Sequence, residues 1–152
     1  KEIYSGKLSD TVYQPEGGAV QTMPLAASEA SKVNAGPAKA ASKEDQIKLG
    51  KAVFDSTCFA CHGAEGQGVE GSFPPLAKSD YLAADYKRGI HAVLKGLNGE
   101  ITVNCKKYNS VMPAQSLKDD QIANVLTYVL NSFGNAGGKV STEEVAAARN
   151  AK

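Results

Sequence analysis

Apolar positions recur at helical spacing in three stretches of the chain. Ser42 precedes the first, with Asp45 three positions on, a capping hydroxyl followed by a carboxylate. Ile47, Gly50, Lys51 and Phe54 then share one helical face, which predicts a helix over 43–56. Ser79 caps a short turn through Tyr81 and Leu82. Asp85 opens the second helix, with Ile90, Val93, Leu94 and Leu97 on its stripe, and the glycines from Gly96 to Gly99 end it. Ser116 caps the third, 117–133, whose stripe is Ile122, Val125, Leu126, Val129 and Leu130, with Gly134 as its stop. Residues 100–117 read as irregular, with a short extended piece at Ile101–Val103.

The flanks lack this patterning. Residues 1–41 hold Pro15, Gly17, Gly18, Pro24, Gly36 and Pro37 and an Ala/Ser-rich stretch. Such a segment buries too little apolar surface to offset its ordering entropy, so it is predicted to be a tether. The competing reading is an extended arm anchored by Ile3, Tyr4, Leu8, Val12 and Tyr13. After Gly134 come Gly137, Gly138 and a second capping pattern, Ser141 to Glu144, which predicts a short helix over 142–149 without a large apolar face. The expected organisation is therefore a linker over 1–41, an ordered, mostly helical domain over 42–135 and a tail over 136–152.

Composition narrows the function by exclusion. Among 152 residues, 17 Lys and Arg face 16 Asp and Glu, and charge is spread evenly along the chain. No bulk positive field points to nucleic acid or anionic membrane. No apolar run approaches the roughly 18 residues of a spanning helix. The chain opens on Lys1 and shows no signal peptide, and is read as processed or cut from something longer. The ordered stretch has no Trp and at most four Phe. A domain of that size buries only about two-thirds of its unfolded surface. A large apolar group at its centre would relieve the shortage.

Cys58-Phe59-Ala60-Cys61-His62 supplies the chemistry. C-x-x-C-H is the attachment pattern of c-type haem. Two thiols at this spacing reach the two vinyl groups on one porphyrin edge, and the following imidazole meets the iron from one side. A zinc site would need two further ligands, and only Cys105, His62 and His91 remain. A dithiol redox pair would want a preceding strand, whereas Cys58 follows a helix. For the opposite face of the iron, Met112 and Met23 are the two methionines. Met112 sits in the polar, non-helical segment Tyr108–Pro113, fifty residues beyond His62, where Pro113 keeps the chain out of a helix. A core-filling role is the alternative for Met112. His91 is the alternative ligand, and reads more simply as a partly buried helix residue.

Gly50, Phe54, Cys58–His62, Pro74-Pro75-Leu76, Met112-Pro113, Val125 and Tyr128 together resemble a class I c-type cytochrome over about 42–135. That resemblance implies an all-α fold, with three main helices around one covalently bound haem c. It implies thioethers at Cys58 and Cys61, and axial ligation by His62 and Met112. It also implies a proline carbonyl holding the second nitrogen of His62, with Pro74 matched through its spacing to Leu76 and Pro75 as fallback. Tyr108 and Asn109 match positions near the haem edge. Gly50 would let the first and last helices cross, with Phe54, Val125 and Tyr128 around it.

A narrower similarity concerns Glu2 to Tyr13, which resembles the end of the second cupredoxin domain of copper nitrite reductases. The stretch Leu97 to Asn104 and the tail are similar to cytochromes fused to such enzymes. It implies an electron-transfer domain with no catalytic residue of its own, delivering electrons from a periplasmic donor to type 1 copper in cupredoxin domains that reduce nitrite to nitric oxide. The copper ligands are not in this chain. A free-standing periplasmic donor and a ligand-binding haem enzyme are the alternatives. Cys105 stands where similar sequences carry a small residue. It reads as a turn residue, or as a thiol beside Lys106 and Lys107 able to cross-link two chains.

Overall fold

The computed structural model describes residues 41–152. The expected tether apart from Ala41, and with it Met23 and the stretch from Glu2 to Tyr13, lies outside the described residues. Helix α1, Lys43–Val53, starts at Ser42, whose hydroxyl accepts from the Asp45 amide at 3.1 Å. The sequence predicted one helix to residue 56. The backbone instead loosens into a π-helical turn at Phe54–Cys58 before α2, Phe59–His62, completes the descent into the C-x-x-C-H motif. A π turn inserts one residue per turn and re-aims the side chains that follow.

Ser79 caps α3, Asp80–Ala84, by accepting from Leu82 N at 3.3 Å. The second stripe forms α4, Lys87–Lys95, with Ile90 and Val93 buried. Asp85 holds its start through Lys87 N at 2.9 Å, and Gly96 ends it at φ +76°. The extended piece at Ile101–Val103 is half of a hairpin. Strand β1, Glu100–Val103, pairs antiparallel with β2, Lys106–Asn109, in the register Ile101 to Tyr108 and Val103 to Lys106. The third stripe forms α5, Asp119–Leu130, which starts at Lys118 instead of Ser116, with Gln121 Oε1 accepting from Lys118 N at 3.0 Å. The tail forms α6, Thr142–Asn150, closed by the expected Ser141–Glu144 capping box.

Two features position the interior. Helices α1 and α5 cross where Gly50 lies against the Asn124 carbonyl, and a Cβ at Gly50 would fall inside that backbone group. Around the crossing, Phe54, Tyr128 and Phe133 form a triangle of rings with centroids 5.3–5.6 Å apart. This spacing is the favoured range for tilted and edge-on aromatic pairs. The tail, whose apolar face looked slight, delivers Val140 and Val145 to the core with no exposed surface. Its backbone is held by Gln46 Nε2 to Val140 O at 2.9 Å and Val140 N to Thr127 Oγ1 at 3.0 Å. The described residues form a mainly helical fold with one small two-stranded hairpin, consistent with the class I cytochrome c fold that the resemblance implies.

Candidate functional site

Cys58, Cys61, His62 and Met112 line one apolar cleft of about 1000 Å³, counted out to its open mouth. Its walls come from separate elements: Leu82 of α3, Val93 of α4, Ile101 and Val103 of β1, and Val125, Leu126 and Val129 of α5. None of these wall residues carries a site signal in sequence. Val93, Val125, Leu126 and Val129 are recognisable only as stripe positions, which face either core or ligand, and Leu82, Ile101 and Val103 only as apolar residues of a short turn and a short extended piece. An outer lobe of about 450 Å³ shares Cys61, His62, Pro74 and Met112 and adds Phe73, Tyr108 and Val111.

His62 and Ser79 are the buried polar residues that line the cleft, and His62 is the one that can bind a metal. Its Nδ1 lies 3.0 Å from the carbonyl oxygen of Pro74, so Nδ1 carries the proton and donates it. That leaves Nε2 as the lone-pair nitrogen, the tautomer a metal requires. Burial lowers the His62 pKa below the ordinary imidazole value, and the Pro74 bond opposes this. The neutral, ligating form is thereby favoured. The proline-rich loop is shaped by Gly68 at φ +64°, where a Cβ would meet Pro74 O at 2.9 Å. Leu76 lines the cleft, with its amide bonded to Gly66 O at 2.7 Å.

Met112 approaches from the irregular segment before α5. Met112 and Leu97 exchange two backbone hydrogen bonds, of 2.9 and 2.8 Å. Gly96 makes this approach feasible, since a Cβ there would sit 2.6 Å from the Met112 carbonyl. Sequence reading noted Gly96 only as a helix stop. Tyr108 is buried and lines the outer lobe, but Asn109 is exposed, pairs with Glu100 and reaches neither lobe. His91 is exposed instead of partly buried, and it does not line the cleft.

The two thiols differ in setting. Burial first, and then Cys61, pushes the Cys58 thiol up to about 11. Among the described residues, no three of His, Cys, Asp and Glu gather as a metal cluster of the zinc kind. An apolar slot with two thiols on one side, one correctly protonated imidazole and a thioether suits a planar, mostly apolar macrocycle carrying iron.

The fold and the site thus define a protein that holds haem through two thioethers. Residues 47–133 match the cytochrome c family, and the chain belongs to it. Haem c is the cofactor this membership brings, with Cys58 and Cys61 at the spacing its attachment needs. Cytochrome c-552 of Thermus thermophilus is 43% identical over 84 residues, 52% of this chain and 64% of that one. The fructose dehydrogenase cytochrome subunit of Gluconobacter japonicus is 30% identical over 103 residues, 63% of this chain and 21% of its own length. The Cbb3-type cytochrome c oxidase subunit CcoP of Rubrivivax gelatinosus is 28% identical over 110 residues, 70% of this chain and 33% of its own. The chain thus spans less than two-thirds of each of these relatives. It is a cytochrome c electron-transfer domain.

Proposed function

We propose that this domain passes single electrons through a six-coordinate haem c whose iron is held by His62 Nε2 and the Met112 thioether. The observation that carries the reading is that Cys58, Cys61, His62 and Met112 line one apolar cleft, with His62 already oriented by Pro74. The bound haem supplies a one-electron iron couple. Cys58 and Cys61 make its attachment permanent. Pro74 keeps the imidazole from rotating. The Leu97 bridge holds Met112 close, and a thioether donor raises the potential. Val93, Val125, Leu126 and Val129 keep water away, which lowers the reorganisation each transfer requires. With His62 and Met112 both holding the iron, small molecules would find no open site on it.

The exit for electrons is the face around Phe59, Ala60 and Cys61, all exposed, with Phe59 at 49%. It is small and apolar, and the chain's formal net charge is only +1, so docking there should depend weakly on salt. The proposed acceptor is the type 1 copper of a copper nitrite reductase to which the domain is fused. The similarity of Glu2 to Tyr13, of Leu97 to Asn104 and of the tail to haem-fused enzymes of that kind supports this. Residues 1–41 would then serve as a linker, setting an effective concentration of about millimolar for the donor at the acceptor. Maturation of thioether haem outside the cytoplasm supports a periplasmic location, with electrons received from a donor there.

A stopped-flow experiment tests the pairing. The ferrous holo-domain is mixed anaerobically with an oxidised two-domain copper nitrite reductase. Reoxidation of the haem in step with bleaching of the blue copper band, with the blue band returning when nitrite is added, is the expected result. Haem that stays ferrous beside oxidised copper would refute the copper acceptor.

A further inference from the structure

Arg149, near the end of α6, spans a gap that the haem domain does not close by itself. Its Nη2 donates to the Leu117 carbonyl at 2.8 Å, and its Nε bonds Asp119 Oδ1 at 2.6 Å. No backbone N–H among the described residues reaches that carbonyl. Leu117 lines the cleft, five residues after Met112. The segment between them is otherwise fastened upstream, by the Leu97 pair at Met112 and by Gln115 N to Val93 O at 2.8 Å. The same helix end reaches the upstream side as well. Lys95 Nζ, at the last turn of α4 and just before Gly96 and Leu97, donates to Ala151 O at 2.8 Å.

We propose that Arg149 is a positioning residue for Met112: the C-terminal helix pins the far end of the methionine segment and so resists detachment of the thioether. This rests on the reading of Met112 as an iron ligand. Arg149 touches neither the cleft nor Met112 and acts through Leu117 and Asp119. The fork geometry of guanidinium suits the task, because one side chain serves a carbonyl and a carboxylate together. Lysine keeps the charge and three donors but lacks the rigid fork that aims at both acceptors together. The tail thereby couples its own docking to the coordination state of a metal it does not touch.

The experiment uses the full holo-chain, with Arg149→Ala, Arg149→Lys and Tyr86→Phe. Tyr86 donates to Glu144 at 2.6 Å and anchors the start of the same helix, away from the methionine segment. Two signals are read: the weak far-red band of ferric iron bound to thioether sulfur, and the apparent affinity for added imidazole, which must displace Met112. Arg149→Ala is expected to raise imidazole affinity roughly three- to tenfold, the weight of one charge-assisted hydrogen bond discounted for exposure. Arg149→Lys recovers part of this. Tyr86→Phe lowers the thermal midpoint but leaves imidazole affinity within about twofold. Arg149→Ala matching the parent, or Tyr86→Phe loosening Met112 equally, would overturn the proposal. A parent protein without the far-red band would instead remove the Met112 reading beneath it.

Discussion

Replacing Gly50 by alanine probes the joint on which the cleft depends. The added methyl meets the Asn124 backbone carbonyl first and Tyr128 Cβ next, at 2.8 Å. Neither is the free end of a flexible side chain, so α1 and α5 must move apart. Overpacking costs about 1–3 kcal/mol, and a collision with backbone belongs at the upper end. Alanine recovers about 1 kcal/mol of helix propensity over glycine. The net loss is then about 2 kcal/mol, or roughly 8–16 °C in melting temperature for a domain of this size. The shift is measured by thermal circular dichroism of the holoprotein, with haem absorbance recorded on the same sample. Because α5 carries Val125, Leu126 and Val129 into the cleft, the two signals should move together. A melting curve within about 2 °C of the parent would show that the helices do not meet at Gly50.

Met112→Ala should lower the midpoint potential by on the order of 100 mV and open the iron to added ligands; spectroelectrochemistry reads both, and an unchanged spectrum would assign the ligand elsewhere. Asn104 and Cys105 both adopt positive φ, +50° and +63°, in the two-residue turn of the hairpin. Cys105→Gly should therefore stabilise the domain by about 0.5–1 kcal/mol in denaturant titration. Glu144 has a pKa held below the ordinary carboxylate value, first by the Ser141 backbone amide and then by the Tyr86 hydroxyl. A depressed carboxylate stabilises fully above its unfolded pKa and loses that effect as pH falls through the lower folded value. Glu144→Gln should accordingly flatten the acid limb of stability in that window by less than about 1 kcal/mol, given its exposure.

Local chemistry was legible in the chain where its spacing is itself the requirement. C-x-x-C-H marks the attachment site because two thiols must span one porphyrin edge, and the stripe of α5 shows because a buried helix repeats. The π turn at Phe54–Cys58 left no trace, since no residue pattern marks it, and the partners that Phe54 meets there, Tyr128 and Phe133, lie more than seventy residues away in sequence. Strand β2 was hidden because Lys106, Lys107 and Asn109 leave Tyr108 as its one buried position, too little for a period of two to show. Its turn was hidden because cysteine stands where glycine usually signals a hairpin. The tail looked marginal for the same reason. Val140 and Val145 are single apolar residues, and Gln46 and Thr127, distant in sequence, decide that they are core.

Carbon monoxide added to the ferrous holoprotein tests most directly whether iron in this domain is gripped from both sides. An absorption spectrum identical before and after the gas is the outcome expected of a domain that carries electrons only. A shifted Soret band, marking carbon monoxide on the iron, would mean that Met112 leaves the metal open and that the domain binds ligands.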